Sequence, residues 1–182
     1  KTTFVGHVAG SGLIEPDPVK LSTIPNIQPP ETKRDVRKLV GFFSYFRSFI
    51  PSLVETAWVI TDLTKKDSPS KICWEPKHQV ALEKLKADLQ AAIKTPLHSV
   101  EFREDFGLLV DASISAFGCC LIQWTKYGIE KPVSFASMKC SPTQSRWSTI
   151  EREAFAVIWA LKKYRSCIFL AEVKVFSDHN PL

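Results

Sequence analysis

The feature that most constrains the fold of this 182-residue sequence is a change of period at Phe106. Before it, apolar residues recur at helical spacing; after it come short β-branched and apolar runs. "FGLLVDAS" and "GCCLIQW" read as two strands joined by "ISAF", "PVSFAS" as a third and "EVKVFSD" as a fourth. One long helix, capped by Ser145 or Ser148 and reaching to about Arg165, lies between the third and fourth strands. The layout is therefore β-β-β-α-β. Two of its strands end in a carboxylate, Asp111 of "LLVDAS" and Asp178 of "VFSD". Such a sheet can bring the end of the first strand beside the end of the fourth, which makes Asp111 and Asp178 neighbours.

The helix between them packs on the sheet and carries Glu151 and Glu153. A helical wheel puts Trp147, Ile150, Ala154, Val157 and Leu161 on the core face, with the two glutamates on opposite flanks. Either can reach the aspartates, and the wheel does not choose. Clustered carboxylates cost electrostatic energy unless cations neutralise them, and hard, oxygen-seeking Mg²⁺ (or Mn²⁺) is the natural neutraliser. Two such ions roughly 4 Å apart activate water and stabilise the leaving oxygen in phosphodiester cleavage. A strand-end Asp serves equally well as a turn or cap residue, so the residues alone leave both readings open.

The first half reads as a hairpin followed by helices. "TTFVGHVAG" supplies one strand, "SG" a turn and "LI" the return. "EPDPVKLSTIPNIQPP" is Pro-rich and reads as a linker or irregular loop. Thr32 opens a helix through the capping-box spacing of "TKRD", with Val36, Leu39, Val40, Phe43 and Phe46 on its apolar face. A second helix covers Leu53 to Lys65. A third starts near Pro76 and places Val80, Leu85, Leu89 and Ile93 on one side, with Trp74 before it as a staple. Arg37, Gly41 and Tyr45 are spaced i, i+4, i+8 and share one helix face. The whole is an α+β chain in three stretches, 1–30, 31–98 and 99–182.

The net charge is +5, with the basic excess mostly in the first half; it permits nucleic acid as a partner without demanding it. Five scattered cysteines without a C-x-x-C pair argue against a disulfide framework or a zinc site and suit a reducing, intracellular compartment. No apolar run is long enough to span a bilayer, and no signal-peptide layout opens the chain, so no membrane partner is expected. Lys1 and Leu182 read as cut points in something longer.

Several stretches together resemble one family. "LLVDASISAFGCCLIQ", "KPVSFASMKCSPTQSRWSTIEREAFAVIWALKKYR" and "VKVFSDHNPL" are similar to the RNase H region of gypsy-type LTR retrotransposon Pol polyproteins. "FVGHVAGSGLIEPDPVKLSTI", "VGFFSYFRSFIPSLVETAWVITDLTKK" and "WEPKHQVALEKLKADL" are similar to the end of the reverse transcriptase in the same polyproteins. The resemblance implies an N-terminal hairpin and thumb-like helices followed by the first part of an RNase H-like domain. It implies Asp111, Glu153 and Asp178 as catalytic and Mg²⁺-binding carboxylates, leaves Glu151 at the surface, and gives His179 an orienting role. A fourth carboxylate is expected beyond Leu182 and the palm carboxylates before Lys1, so residues 1–182 alone are expected to cleave little. Val5 and Gly6 fall on the primer-grip hairpin. Arg37, Gly41 and Tyr45 fall on the thumb helix that follows the minor groove. The implied partners are an RNA–DNA hybrid or primer–template duplex and the remainder of the polyprotein, in the cytoplasm, a virus-like particle or the nucleus.

Two other classes compete. A decayed or domesticated remnant would bind nucleic acid or protein without catalysis. A nucleotide-binding fold of the same strand order lacks support, because no Gly-rich phosphate loop follows either Asp-ended strand.

Overall fold

The computed structural model describes residues 1–66, 68–69 and 71–178; the expectation for His179 lies outside the described residues. The chain opens with β1 (Thr2–Phe4), β2 (His7–Gly10) and β3 (Leu13–Pro16). The stretch read as one strand is therefore broken at Val5–Gly6. Both residues have positive φ, 45° and 69°, and so do Ser11 and Gly12, at 55° and 74°. Two successive two-residue turns of the kind that matches strand twist fold the segment into a three-stranded meander. Local propensity hid the first turn, because a β-branched valine rarely adopts this conformation.

The Pro-rich stretch is not irregular throughout. Asp17 caps a short helix, α1 (Pro18–Leu21), by accepting the Val19 N–H at 2.9 Å, and a single 3₁₀ turn spans Ile24–Asn26. Leu21 and Ile24 are buried, which anchors the segment to the helices. Then come α2 (Lys33–Tyr45), α3 (Leu53–Asp62) and α4 (Pro76–Ala91). Thr32 caps α2 as expected, its hydroxyl accepting the Asp35 N–H and donating to the Asp35 carboxylate. Along α4 the buried stripe is His78, Ala81, Leu82, Leu85 and Leu89. Val80 and Ile93, placed on one side with Leu85 and Leu89, are exposed; the buried stripe runs through the neighbouring Leu82 and the small Ala81. Trp74 lies tilted beside His78, with ring centroids 5.3 Å apart and planes at 38°, and its Nε1 donates to Gln79. A two-residue strand, β4 (Leu97–His98), then pairs with β3 and completes the first sheet.

The second sheet contains β5 (Phe106–Ala112), β6 (Ala116–Trp124), β7 (Glu130–Lys139) and β8 (Val173–Ser177), in the order β7-β6-β5-β8. Between β7 and β8 lie α5 (Thr149–Lys163) and the short α6 (Arg165–Ile168). The three first strands are antiparallel, whereas β8 runs parallel to β5. Phe106, Leu108 and Val110 of β5 pack with Ala156, Ala160 and Tyr164 of the helix side.

The wheel drawn from the sequence is rotated relative to this packing. Ile150 is half exposed, and the buried positions of α5 are Glu153, Ala156 and Ala160. Alanines let the helix lie close to the sheet, and a ranking by apolarity undervalues them. Cys119 and Cys120 face opposite ways and are both buried, so β6 is covered on both faces. The helical part meets the sheet along β7. The Phe135 N–H donates to the Ser48 carbonyl at 2.9 Å, the Val54 N–H donates to the Ser137 hydroxyl at 3.1 Å, and Lys139 Nζ stands 3.5 Å over the Trp58 ring.

Candidate metal centre and nucleic-acid face

Parallel pairing of β5 and β8 decides the geometry. The register sets Val110 against Ser177, so the next residues, Asp111 and Asp178, leave the same end of the sheet on adjacent strands. Neighbouring strands lie about 4.8 Å apart. The first turn and a half of α5 crosses this end and delivers Glu153. One carboxylate oxygen from each of Asp111, Glu153 and Asp178 lies within 4.8 Å of the others. The aspartates are exposed and Glu153 is 3% exposed.

Glu151 is engaged elsewhere. It accepts from the Ser148 N–H and hydroxyl, both at 2.8 Å, and Ser148 in turn accepts the Glu151 N–H. This capping box opens α5 and identifies Ser148, not Ser145, as the cap. The Ser148 hydrogen bonds hold the Glu151 carboxyl below its ordinary range. Glu153 goes the other way. Burial raises its pKa, and the charges of Asp178 and Asp111 raise it further, against the lowering effect of hydrogen bonds from Ser177 and the Ala112 backbone. Ser177 Oγ donates to Glu153 Oε2 at 3.3 Å; its place before Asp178 gave no sequence signal for this role. Crowded oxygen donors with unrelieved negative charge fit a hard divalent cation better than a proton or a soft metal.

A second group of residues forms a separate face. Arg37, Gly41 and Tyr45 are all exposed on α2, Tyr45 least so at 36%. A Cβ built on Gly41 would meet nothing within 4 Å. Packing within the chain therefore gives no reason for a glycine in the middle of this helix. The Val5–Gly6 turn lies at the end of the same face. A Cβ on Gly6 would stand 2.6 Å from the Tyr45 hydroxyl, and the His7 and Tyr45 rings are 5.2 Å apart. Val5 projects from the turn, 63% exposed. Of the other cations on α2, Lys38 pairs with Asp35 at 3.1 Å. Lys33 is turned inward to the Lys65 and Ser68 carbonyls and is structural. No described helix is long and apolar enough to cross a membrane.

Residues 101–182 match the RNase H-like domain found in reverse transcriptase. The retrovirus-related Pol polyprotein from transposon 412 of Drosophila melanogaster is 34% identical over 182 residues, which cover 100% of this chain and 14% of that protein. Those from transposons 297 and opus of the same fly are 32% and 30% identical, over 100% and 98% of this chain and 16% and 18% of the relatives. The chain thus spans 14–18% of the length of these curated relatives. Among solved structures, a foamy viral protease-reverse transcriptase in complex with RNA/DNA hybrid has a TM-score of 0.73 at 20% identity, over 96% of this chain and 24% of that one. The same kind of protein in complex with dsDNA gives 0.74 at 19%, over 96% and 37%. At these identities the structural likeness is one of fold.

Proposed function

We propose that this chain, whose residues 101–182 belong to the RNase H-like domains found in reverse transcriptase and which as a whole belongs with the Pol polyproteins of gypsy-type transposons, binds an RNA–DNA hybrid and carries the carboxylates that cut its RNA strand. The observation that supports the reading best is the approach of the Asp111, Glu153 and Asp178 oxygens to within 4.8 Å of one another.

In this reading Asp111, Glu153 and Asp178 would hold Mg²⁺ or Mn²⁺. A divalent cation bound there supplies Lewis acidity and an activated water for phosphodiester hydrolysis. The protein's part is positional. The parallel β5–β8 pair fixes the two aspartates, and the α5 capping box fixes the helix that delivers Glu153. Burial on α5 keeps Glu153 from turning away from the aspartates, and Ser177 orients its carboxylate.

Residues 1–30 and 31–98 serve as the hybrid-holding parts and 99–182 as the cleaving part. Arg37 contacts phosphate or base edges, Gly41 lets the helix approach the minor groove, and Tyr45 packs on sugars. Val5 and Gly6 meet the primer strand. Phosphate and 2′-hydroxyl contacts carry this recognition, not base sequence. RNA-directed DNA synthesis belongs to the polyprotein with which this chain works.

The test uses a Pol polypeptide that contains the chain, with end-labelled RNA annealed to DNA. Mg²⁺-dependent cleavage is expected, lost on Asp111→Asn, Glu153→Gln or Asp178→Asn and retained by Glu151→Gln. Cleavage that survives the first three changes means the site is wrong. Hybrid binding without any cleavage would instead identify a non-catalytic nucleic-acid-binding module.

A further inference from the structure

The junction between the first turn and α2 contains a lysine that helical spacing on α2 could not reveal. Gly6 has a φ of 69°, and a Cβ on it would stand 2.5 Å from Lys20 Nζ as well as 2.6 Å from the Tyr45 hydroxyl. Lys20 Nζ also lies 4.4 Å from the centroid of the Tyr45 ring. Three segments distant in sequence thus meet at one glycine. The placement of Lys20 is fixed from behind. The Asp17 N–H donates to the Gly6 carbonyl at 3.1 Å, the Asp17 side chain caps α1, and Leu21 next to Lys20 is buried. Lys20 itself is exposed, and among the described residues no carboxylate lies within ion-pair distance of its Nζ.

An exposed lysine is usually a solvated surface residue. This one is held against an aromatic ring at the end of an exposed helix face, beside a turn under strain. Val5 is β-branched, sits at a φ of 45° and is 63% exposed, so little burial offsets its backbone cost. A cation, an aromatic ring, an apolar tip and a backbone without a side chain together suit a nucleic-acid strand, whose sugars offer C–H surface for packing and whose phosphates are anionic.

We propose that Lys20 is a phosphate-contacting residue of the nucleic-acid face, seated in the notch left by Gly6 and held by the Tyr45 ring. The proposal rests on the reading that α2 follows a duplex, and extends that face by one cation on α1. Lys20 contacts one backbone phosphate of the strand that runs past the Val5–Gly6 turn. Gly6 is then required twice, for its backbone conformation and for the space that Lys20 and Tyr45 occupy.

The experiment measures binding of the whole 182-residue chain to a labelled RNA–DNA hybrid by fluorescence anisotropy over a salt series. Each phosphate contact contributes about 0.9 to the slope of log K against log salt. Lys20→Gln is expected to reduce that slope by about 0.9 and to weaken binding roughly eightfold at 0.1 M salt. Lys20→Arg is expected to retain the slope. Gly6→Ala is expected to lose the same increment, because the added methyl displaces Lys20 and Tyr45. Circular dichroism melts check that the exposed Lys20 variants fold as the parent does. A slope unchanged in Lys20→Gln overturns the proposal. If Arg37→Gln still weakens binding in that case, the duplex-following helix stands and only the Lys20 contact falls. If the parent chain does not bind hybrid, both fall together.

Discussion

Replacing Gly41 by alanine separates what the fold requires from what a partner requires. Gly41 lies inside α2, is exposed, and has open space where a Cβ would be. Glycine in a helix interior costs about 1 kcal/mol relative to alanine, and part of that gain comes from a less disordered unfolded chain. Nothing in the chain opposes the new methyl group, so Gly41→Ala should stabilise the protein by about 0.5–1 kcal/mol. For a chain of this size that is a rise in Tm of roughly 2–4 °C per kcal/mol. If α2 follows the minor groove as proposed, the same methyl would stand between the helix and the groove floor, so hybrid affinity should fall by roughly fivefold, about 1 kcal/mol, and Gly41→Leu should weaken it further. Thermal unfolding followed by circular dichroism gives the first quantity, and anisotropy titration at fixed salt gives the second. A destabilised Gly41→Ala would reveal a packing role that the open space denies. A stabilised variant with unchanged affinity would refute close approach of a duplex to this helix.

Other outcomes follow from single interactions. His78 Nδ1 accepts the Glu75 N–H at 2.9 Å, and burial lowers the imidazole's pKa below its ordinary value. A group whose folded pKa is depressed contributes stability above its unfolded pKa, near 6.5, and loses it as pH falls through the folded value. Stability should therefore decline on acidification below about pH 6.5, and a pH series of urea melts should show a smaller decline in His78→Gln. Ser148→Ala removes the α5 capping box and should cost about 1 kcal/mol in the same melts, whereas Glu151→Gln should cost much less. Burial pushes the Cys119 and Cys120 thiols up to about 12, while Cys73 is exposed. Alkylation of the native chain followed by mass spectrometry should label Cys73 first and leave Cys119 and Cys120 unmodified until unfolding.

The convergence of the three carboxylates was legible because two of them stand at the ends of strands. Asp111 and Asp178 follow apolar strands directly, and only the direction of β8 was needed to bring them together. The choice between Glu151 and Glu153 was not legible from the wheel. It depended on which face of α5 contacts the sheet, and that face is set by Ala156 and Ala160, which carry little apolar weight in sequence. Ser148 with Glu151 at capping spacing was the available signal that Glu151 already had a partner. The Val5–Gly6 turn escaped for a different reason. Its positive φ at valine opposes local preference, and the pairing of β3 with β4 spans more than 80 residues. The Lys20–Tyr45 contact likewise joins α1 to α2 through tertiary packing, which periodicity does not encode.

The central claim is that Asp111, Glu153 and Asp178 form one divalent-cation centre, and metal binding tests it without substrate or turnover. Mn²⁺ is titrated into the chain and the free ion is followed by electron paramagnetic resonance. Binding should be lost on Asp111→Asn, Glu153→Gln and Asp178→Asn and kept in Glu151→Gln, and Mg²⁺ in excess should displace the bound ion. Added Mg²⁺ should raise the Tm of the parent chain but not of Glu153→Gln. Mn²⁺ binding that is indifferent to Glu153→Gln, or lost equally on Glu151→Gln, would contradict the account.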